Sequence, residues 1–157
     1  MLLTDMSPVL KKCQVLVIED EPIDLTLIQQ VIEAEKIPVH LIPFDNGEGA
    51  IQYLEQSSAQ APAPELILLD LKLPGIQGLE ILKLIRSDAR FCIIPIVILT
   101  ALEAPSIILD AYRLGCNCYI KKPLDPKSLA ATVLAIFDFW LNFAILPEAD
   151  GRAWSHA

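Results

Sequence analysis

At 157 residues the chain has the length of one domain, long enough to bury a core without disulfide staples. A net charge of -8 and a pI near 4.6 supply no basic stripe to neutralise phosphates, which argues against nucleic acid as the main partner and favours an acidic pocket for a cation. The hydrophobic fraction of 54% and mean hydropathy of +0.48 are high for a soluble domain, so part of the apolar surplus is expected in a protein interface.

The opening "MLLTDMSPVLKK" reads as a tail over residues 1–11. It has no charged n-region followed by an apolar core and a cleavage site, so a cytoplasmic protein is expected. "CQVLVIED" reads as a buried strand, because its apolar residues are continuous and β-branched and acids end it. A helix from Pro22 to about Glu35 follows, with proline where no amide donor is needed and Leu25, Ile28, Val31 and Ile32 on one face. "PVHLIPF" reads as a strand whose Pro38 and Pro43 place it at a sheet edge. A short helix from Gly47 to about Gln56 and the loop "SSAQAPAP" come next.

"ELILLD" is the third strand and "LEILKLIRSD" a helix with a broad apolar stripe. "CIIPIVILT" is the fourth strand, followed by the helix "APSIILDAYRLG", which Gly115 stops. "NCYIKKP" is the fifth. Asp125 as N-cap and Pro126 in the first turn then start a final helix expected to run to about Leu146. The four cysteines, Cys13, Cys92, Cys116 and Cys118, show no zinc spacing and are expected to be reduced, mostly buried thiols.

Strands alternating with helices imply right-handed βαβ units and a doubly wound parallel sheet, whose ligands sit at the carboxyl ends of the strands. Those ends carry Glu19 and Asp20, Asp70, Thr100, and Lys122 before Pro123. Carboxylates gathered in one small site repel each other unless a cation sits among them, and an oxygen-rich pocket with open water positions suits Mg²⁺. A lysine and a hydroxyl on the same rim add donors for phosphoryl oxygens. Together with a carboxylate nucleophile they make a phosphoryl-transfer site.

"VLVIEDE", "LILLDLKLPGIQG", "IPIVILTA" and "CYIKKPLD", in that order and spacing, resemble the receiver domain of two-component response regulators over about residues 12 to 138. The resemblance implies the flavodoxin-like α/β fold, a five-stranded parallel sheet of order 2-1-3-4-5 with five helices. It implies that Asp70 accepts a phosphoryl group from a histidine kinase. It also implies that Asp20, Asp70 and the Lys72 carbonyl bind Mg²⁺ with help from Glu19, and that Lys122 contacts the phosphoryl oxygens. Thr100 would couple the site to Tyr119 as the switch pair, Ala101 would keep the entrance open, and Lys122–Pro123 matches a position where the family often has a cis peptide. Gln77 stands where many receivers carry Asp or Asn, and Glu19 where Asp is commoner.

"AIFDFWLNFAILP" is apolar on both faces of a helix, yet Asp138 and Asn142 interrupt the run of about 18 apolar residues that a membrane span needs. Phe137, Phe139, Trp140, Leu141 and Phe143 are therefore expected to pack on a second copy, in a domain spanning 12–146 that ends in an extended helix; 147–157 is expected to be a tail. "NCYIKKP" with "FWLNFAILP" is also similar to the small single-domain regulators that partner cyanobacterial phytochrome kinases. That implies a bacterial phytochrome as donor, a homodimer and an unknown downstream protein, with neither nucleic acid nor membrane as partner. Two other classes fit the sequence less well. A phosphohydrolase of the haloacid-dehalogenase kind needs an acid two positions after the nucleophile, where this chain has Lys72. A constitutive dimerising module with little phosphotransfer is disfavoured because Asp70 and its helpers are all present.

Overall fold

The computed structural model describes residues 11–57, 61 and 63–147, so most of both expected tails and part of the "SSAQAPAP" loop lie outside the described residues. The elements run β1 (Cys13–Ile18), α1 (Pro22–Ala34), β2 (Val39–Phe44), α2 (Gly47–Glu55) and β3 (Leu66–Leu69). They continue as α3 (Gly78–Ser87), β4 (Ile96–Thr100), α4 (Pro105–Leu114), β5 (Cys118–Lys121) and α5 (Pro126–Asp138), with a π-helical turn over Phe139–Phe143. The five strands form one parallel sheet of order β2-β1-β3-β4-β5, as expected, with proline-bearing β2 at an edge.

Period-two alternation divides the sheet between two cores. Leu16, Ile18, Ile67, Leu69, Ile96 and Ile98 point to the face covered by α2, α3 and α4. Val15, Val17, Leu66, Leu68, Val97 and Leu99 point to the opposite face, against Ile28 of α1 and Leu129, Val133, Ile136 and Phe137 of α5. Burial on both faces explains why β3 and β4 are apolar without a break: neither strand has a wet side.

Two boundaries differ from the sequence reading by more than two residues, each for a local reason. β4 begins at Ile96 rather than Cys92, because Pro95 has no amide for a ladder and residues 91–94 close turns instead, with the Phe91 and Cys92 amides donating to the Asp88 carbonyl. The last helix is α-helical only to Asp138. The π turn carries it to Phe143, and at Ala144 the backbone leaves in an extended conformation. Of the cysteines only Cys116 is buried; the other three are half-buried. Burial, reinforced by the Glu65 carboxylate, pushes the Cys13 thiol up to about 12.

The end of the sheet away from the acidic rim is tied together by Arg86, in the last turn of α3. Its Nε donates to the Gly115 carbonyl at 2.7 Å, its Nη1 to the carbonyls of Cys92 and Ile94, and its Nη2 to Asn117 Oδ1 at 2.9 Å. The same Asn117 oxygen accepts from the Ile96 amide. Gly115 itself closes α4 at φ +100, a left-handed conformation that side chains resist. One planar fork thus joins α3, the end of α4 and the start of β4.

Replacing Arg86 by Ala should lower the unfolding free energy by about 2 to 4 kcal/mol, since several charge-assisted bonds to backbone carbonyls disappear at once. Arg86→Lys should recover less than half of the loss, because an ammonium cannot reproduce the fork. Denaturant unfolding of the three proteins measures both.

Candidate functional site

The rim is built by running each strand one or two residues past its last apolar side chain. The Glu19 amide donates to the Phe44 carbonyl at 2.9 Å and the Asp70 amide to Ile18 at 3.0 Å, so both acids continue the ladder of β1, β2 and β3. Beyond β5, the Lys122 amide donates to the Thr100 carbonyl at 2.7 Å and fixes those two residues against each other. Glu19, Asp70, Thr100 and Lys122 are the buried polar and charged residues among those described, and they are four of the five residues that the strand-end reading selected. The fifth, Asp20, is exposed.

Lys122 is the hub. Its Nζ donates to Glu19 Oε2 at 2.7 Å, to Asp24 Oδ2 at 2.9 Å and to Asp70 Oδ2 at 3.1 Å. Burial alone would pull the ammonium's pKa down; the hydrogen bonds to Glu19 and Asp24 and the charges of Glu19 and Asp70 outweigh it and hold the pKa above its usual value. Burial also pushes the Glu19 carboxyl up to about 7, against the opposing pull of Lys122 and of the Glu21 amide on its Oε1. The other Asp70 oxygen, Oδ1, accepts from the Lys72 amide at 3.1 Å.

Asp24 did not stand out in the sequence. It lies in the first turn of α1, and nothing in the strand-end pattern separates it from an ordinary first-turn acid. Its redundancy as a cap shows only in the structure, where Glu21 already holds the Ile23 amide.

The acid set fits a divalent cation. One oxygen from each of Glu19, Asp20 and Asp70 lies within 4.8 Å of the others, and the three carboxylates of Glu19, Asp24 and Asp70 face a single ammonium. Hard oxygens with a solvent-facing member in Asp20 match a cation that keeps water ligands.

The chain past Asp70 turns tightly. A Cβ at Gly78 would overlap the Leu71 backbone and lie 2.7 Å from the Asp70 carbonyl, so only glycine lets α3 start this close to the end of β3. Gln77 makes no capping bond with its side chain; its Nε2 donates to the Leu73 carbonyl at 3.2 Å and so braces the loop. The Lys122–Pro123 peptide is trans.

On the other flank, the Leu102 backbone joins two predicted residues. Its amide donates to Thr100 Oγ1 at 3.4 Å and its carbonyl accepts from the Tyr119 hydroxyl at 2.7 Å. The Tyr119 amide donates in turn to the Tyr112 hydroxyl of α4. Ala101 is exposed beside them.

The predicted interface residues behave differently from one another. Phe137 is 1% exposed in the core between the sheet, α1 and α5, so it is a core residue and offers no face to a partner. Trp140 and Leu141 pack partly on the same core, while Phe139 and Phe143 are 52% and 73% exposed. No helix among the described residues is long and apolar enough to cross a membrane.

A family model for the response regulator receiver domain matches residues 15–134. Response regulator Rcp1 of Synechocystis sp. is 36% identical over 137 residues, covering 86% of this chain and 93% of its own length. The phosphorylated cyanobacterial phytochrome response regulator RcpA superposes with a TM-score of 0.82 at 36% identity, over 87% of this chain and 99% of that one. The Mn²⁺-bound form of Rcp1 superposes with a TM-score of 0.81 at 35% identity, over the same shares of the two chains.

The raised Glu19 carboxyl has a consequence for stability. Its folded pKa of about 7 lies above the ordinary 4.5 of a free glutamate, so the native state holds this proton more tightly than the unfolded chain. Without divalent cation, the unfolding free energy should therefore fall as pH rises from 4.5 towards 7, and Glu19→Gln should remove that fall. Added Mg²⁺ should remove it too, by favouring the ionised carboxylate. Denaturant unfolding across this pH range, with and without Mg²⁺, checks the sign.

Proposed function

The chain belongs to the response regulator receiver family, and from that premise we propose that it is a single-domain regulator that accepts a phosphoryl group on Asp70 from a histidine kinase of the phytochrome type. The observation that carries this reading is the placement of Asp70: buried, on the central strand, 3.1 Å from the Lys122 ammonium and clustered with Glu19 and Asp20. The likeness to phytochrome regulators supports the choice of kinase, and the Mn²⁺-bound relative supports a divalent cation, for which we take Mg²⁺.

In this reading an Asp70 oxygen attacks phosphorus, and the bond between phosphorus and the donor's leaving atom breaks as the new P–O bond forms. Mg²⁺, held by Glu19, Asp20, Asp70 and the Lys72 carbonyl, would neutralise charge developing on the phosphoryl oxygens. Lys122 supplies the second positive charge, and its buried position keeps it undiluted by water. Thr100 would offer its hydroxyl to a phosphoryl oxygen, and Ala101 leaves the entrance unobstructed.

Such a move would break the contact between Thr100 and the Leu102 amide. Because Leu102 also holds the Tyr119 hydroxyl, the phosphoryl group would reach Tyr119 and α4 through one backbone residue. The added charge of about -1.5 to -2 at the rim would thereby be read as a changed protein surface. The protein would act in the cytoplasm through contacts with a downstream protein.

We also propose a homodimer formed through Phe139, Trp140, Leu141 and Phe143. The exposed Phe139, Phe143 and Ile145 support it, because three large apolar side chains beyond α5 remain uncovered in the single chain.

Purified protein incubated with Mg²⁺ and acetyl phosphate should gain one phosphoryl group, released by hydroxylamine as an acyl phosphate is; intact mass should show none on Asp70→Asn. Persistent labelling of that variant would remove Asp70 from the acceptor role. For the dimer, cutting the chain before Phe137 would open the core, so substitution is the cleaner test. Phe139→Ser with Phe143→Ser should shift the light-scattering mass to that of a monomer while leaving the melting temperature within about 3 °C, as expected for surface changes.

A further inference from the structure

We propose that Asp24 is the positioning residue for Lys122, holding the ammonium beside Asp70 when a divalent cation draws Glu19 and Asp70 away from it; this rests on the receiver reading of the site. An ammonium has three hydrogens to donate, and here each has its own carboxylate. The distances are 2.7 Å to Glu19, 2.9 Å to Asp24 and 3.1 Å to Asp70. Two of these acceptors, Glu19 and Asp70, also belong to the oxygen cluster suited to a cation; Asp24 does not.

The two demands conflict. A cation bound to Glu19 and Asp70 draws on the oxygens that Lys122 uses and repels the ammonium as well. The Lys122 backbone cannot follow, because its amide is fixed to the Thr100 carbonyl. Only the flexible stem can swing, and it needs a counter-charge outside the cation cluster that is still within reach of Asp70. Asp24 is that charge. It is held on the first turn of α1, and Glu21 does the capping there, which leaves the Asp24 carboxylate free of local duty. Its side chain is 21% exposed, so it is partly shielded from water and salt without being sealed in.

Without the Asp24 charge, the ammonium has Glu19 and Asp70 as its remaining partners in a buried site. It then sits on two of the ligands that the cation requires. Asp24 thus lets lysine and cation share a pocket that otherwise favours one over the other.

Calorimetric titration of Mg²⁺ into the full-length protein tests this through a double-mutant cycle. Asp24→Asn keeps the shape and removes the charge, and it should weaken Mg²⁺ binding by about fivefold, the scale of one contacting pair in such cycles. In a Lys122→Met background the same substitution should change affinity by less than about twofold, because the competitor is gone. Asp24→Glu, which restores the carboxylate, should bind Mg²⁺ as the unsubstituted protein does. Equal affinity of Asp24→Asn and the unsubstituted protein would overturn the proposal. So would a weakening of the same size in both backgrounds, since Asp24 would then act on the cation as one more negative charge and not through Lys122. Should Asp24→Asn fail to fold, Asp24→Ser completes the same cycle. The titration uses no phosphodonor, so failure of Asp70 to take up a phosphoryl group from acetyl phosphate would count against the receiver reading alone.

Discussion

One buried ammonium sets the terms for the rest of the rim. Taking a carboxylate out of water carries a penalty of several kcal/mol unless a charge and good hydrogen bonds meet it, and this fold does so for Glu19 and Asp70 together. Lys122 answers both, and Asp24 as well, from the end of a strand that β4 alone pairs with. The arrangement is stable enough to exist and still unbalanced, because four acids outnumber one base. That excess of negative charge is the physical reason the pocket fits a cation, and the pairing with lysine is the reason a cation has to compete for its place.

The sheet makes the site possible by spending all its apolar side chains before the rim. β1, β3 and β4 are buried on both faces, so their ends are the first positions where a polar side chain can meet water. The acids are held by continuation of the same ladder that builds the core, through the Asp70 and Glu19 amides. Rigid placement of charged groups is what favours charge stabilisation over reorganisation. At the opposite end Arg86 fixes the close of α4, so the start of α4, with no side-chain cap at Ala104, is the less restrained part of that helix.

Most of the fold was legible because two-faced burial leaves a plain mark: unbroken apolar runs for strands and one-sided stripes for helices. The rim residues were legible for the same reason, as the first polar positions after each run. Asp24 was hidden because its meaning depends on Lys122, 98 residues away, and a helix's first turn is an ordinary place for an acid. Phe137 was misplaced because a helix apolar all round gives no phase; only the packing on Val133 and Ile136 shows which side faces the core. Proline decided two boundaries in different ways. Pro95 delayed β4, whereas Pro43 sits inside β2 without harm because an edge strand has one side unpaired.

The π turn at Phe139–Phe143 sets which side of the oily end of the chain faces the core. A π turn is an α-helix carrying one residue too many, so the aromatic side chains after Asp138 are rotated out of phase with those before it. Ile136 and Phe137 stay with the core, while Phe139 and Phe143 turn outward. In a lineage of such chains, gain or loss of a single codon here would exchange an inward aromatic for an outward one without touching the sheet, the acids or the lysine. The surface beyond α5 can therefore be altered by a change in length alone, while the acids and lysine of the rim keep their places.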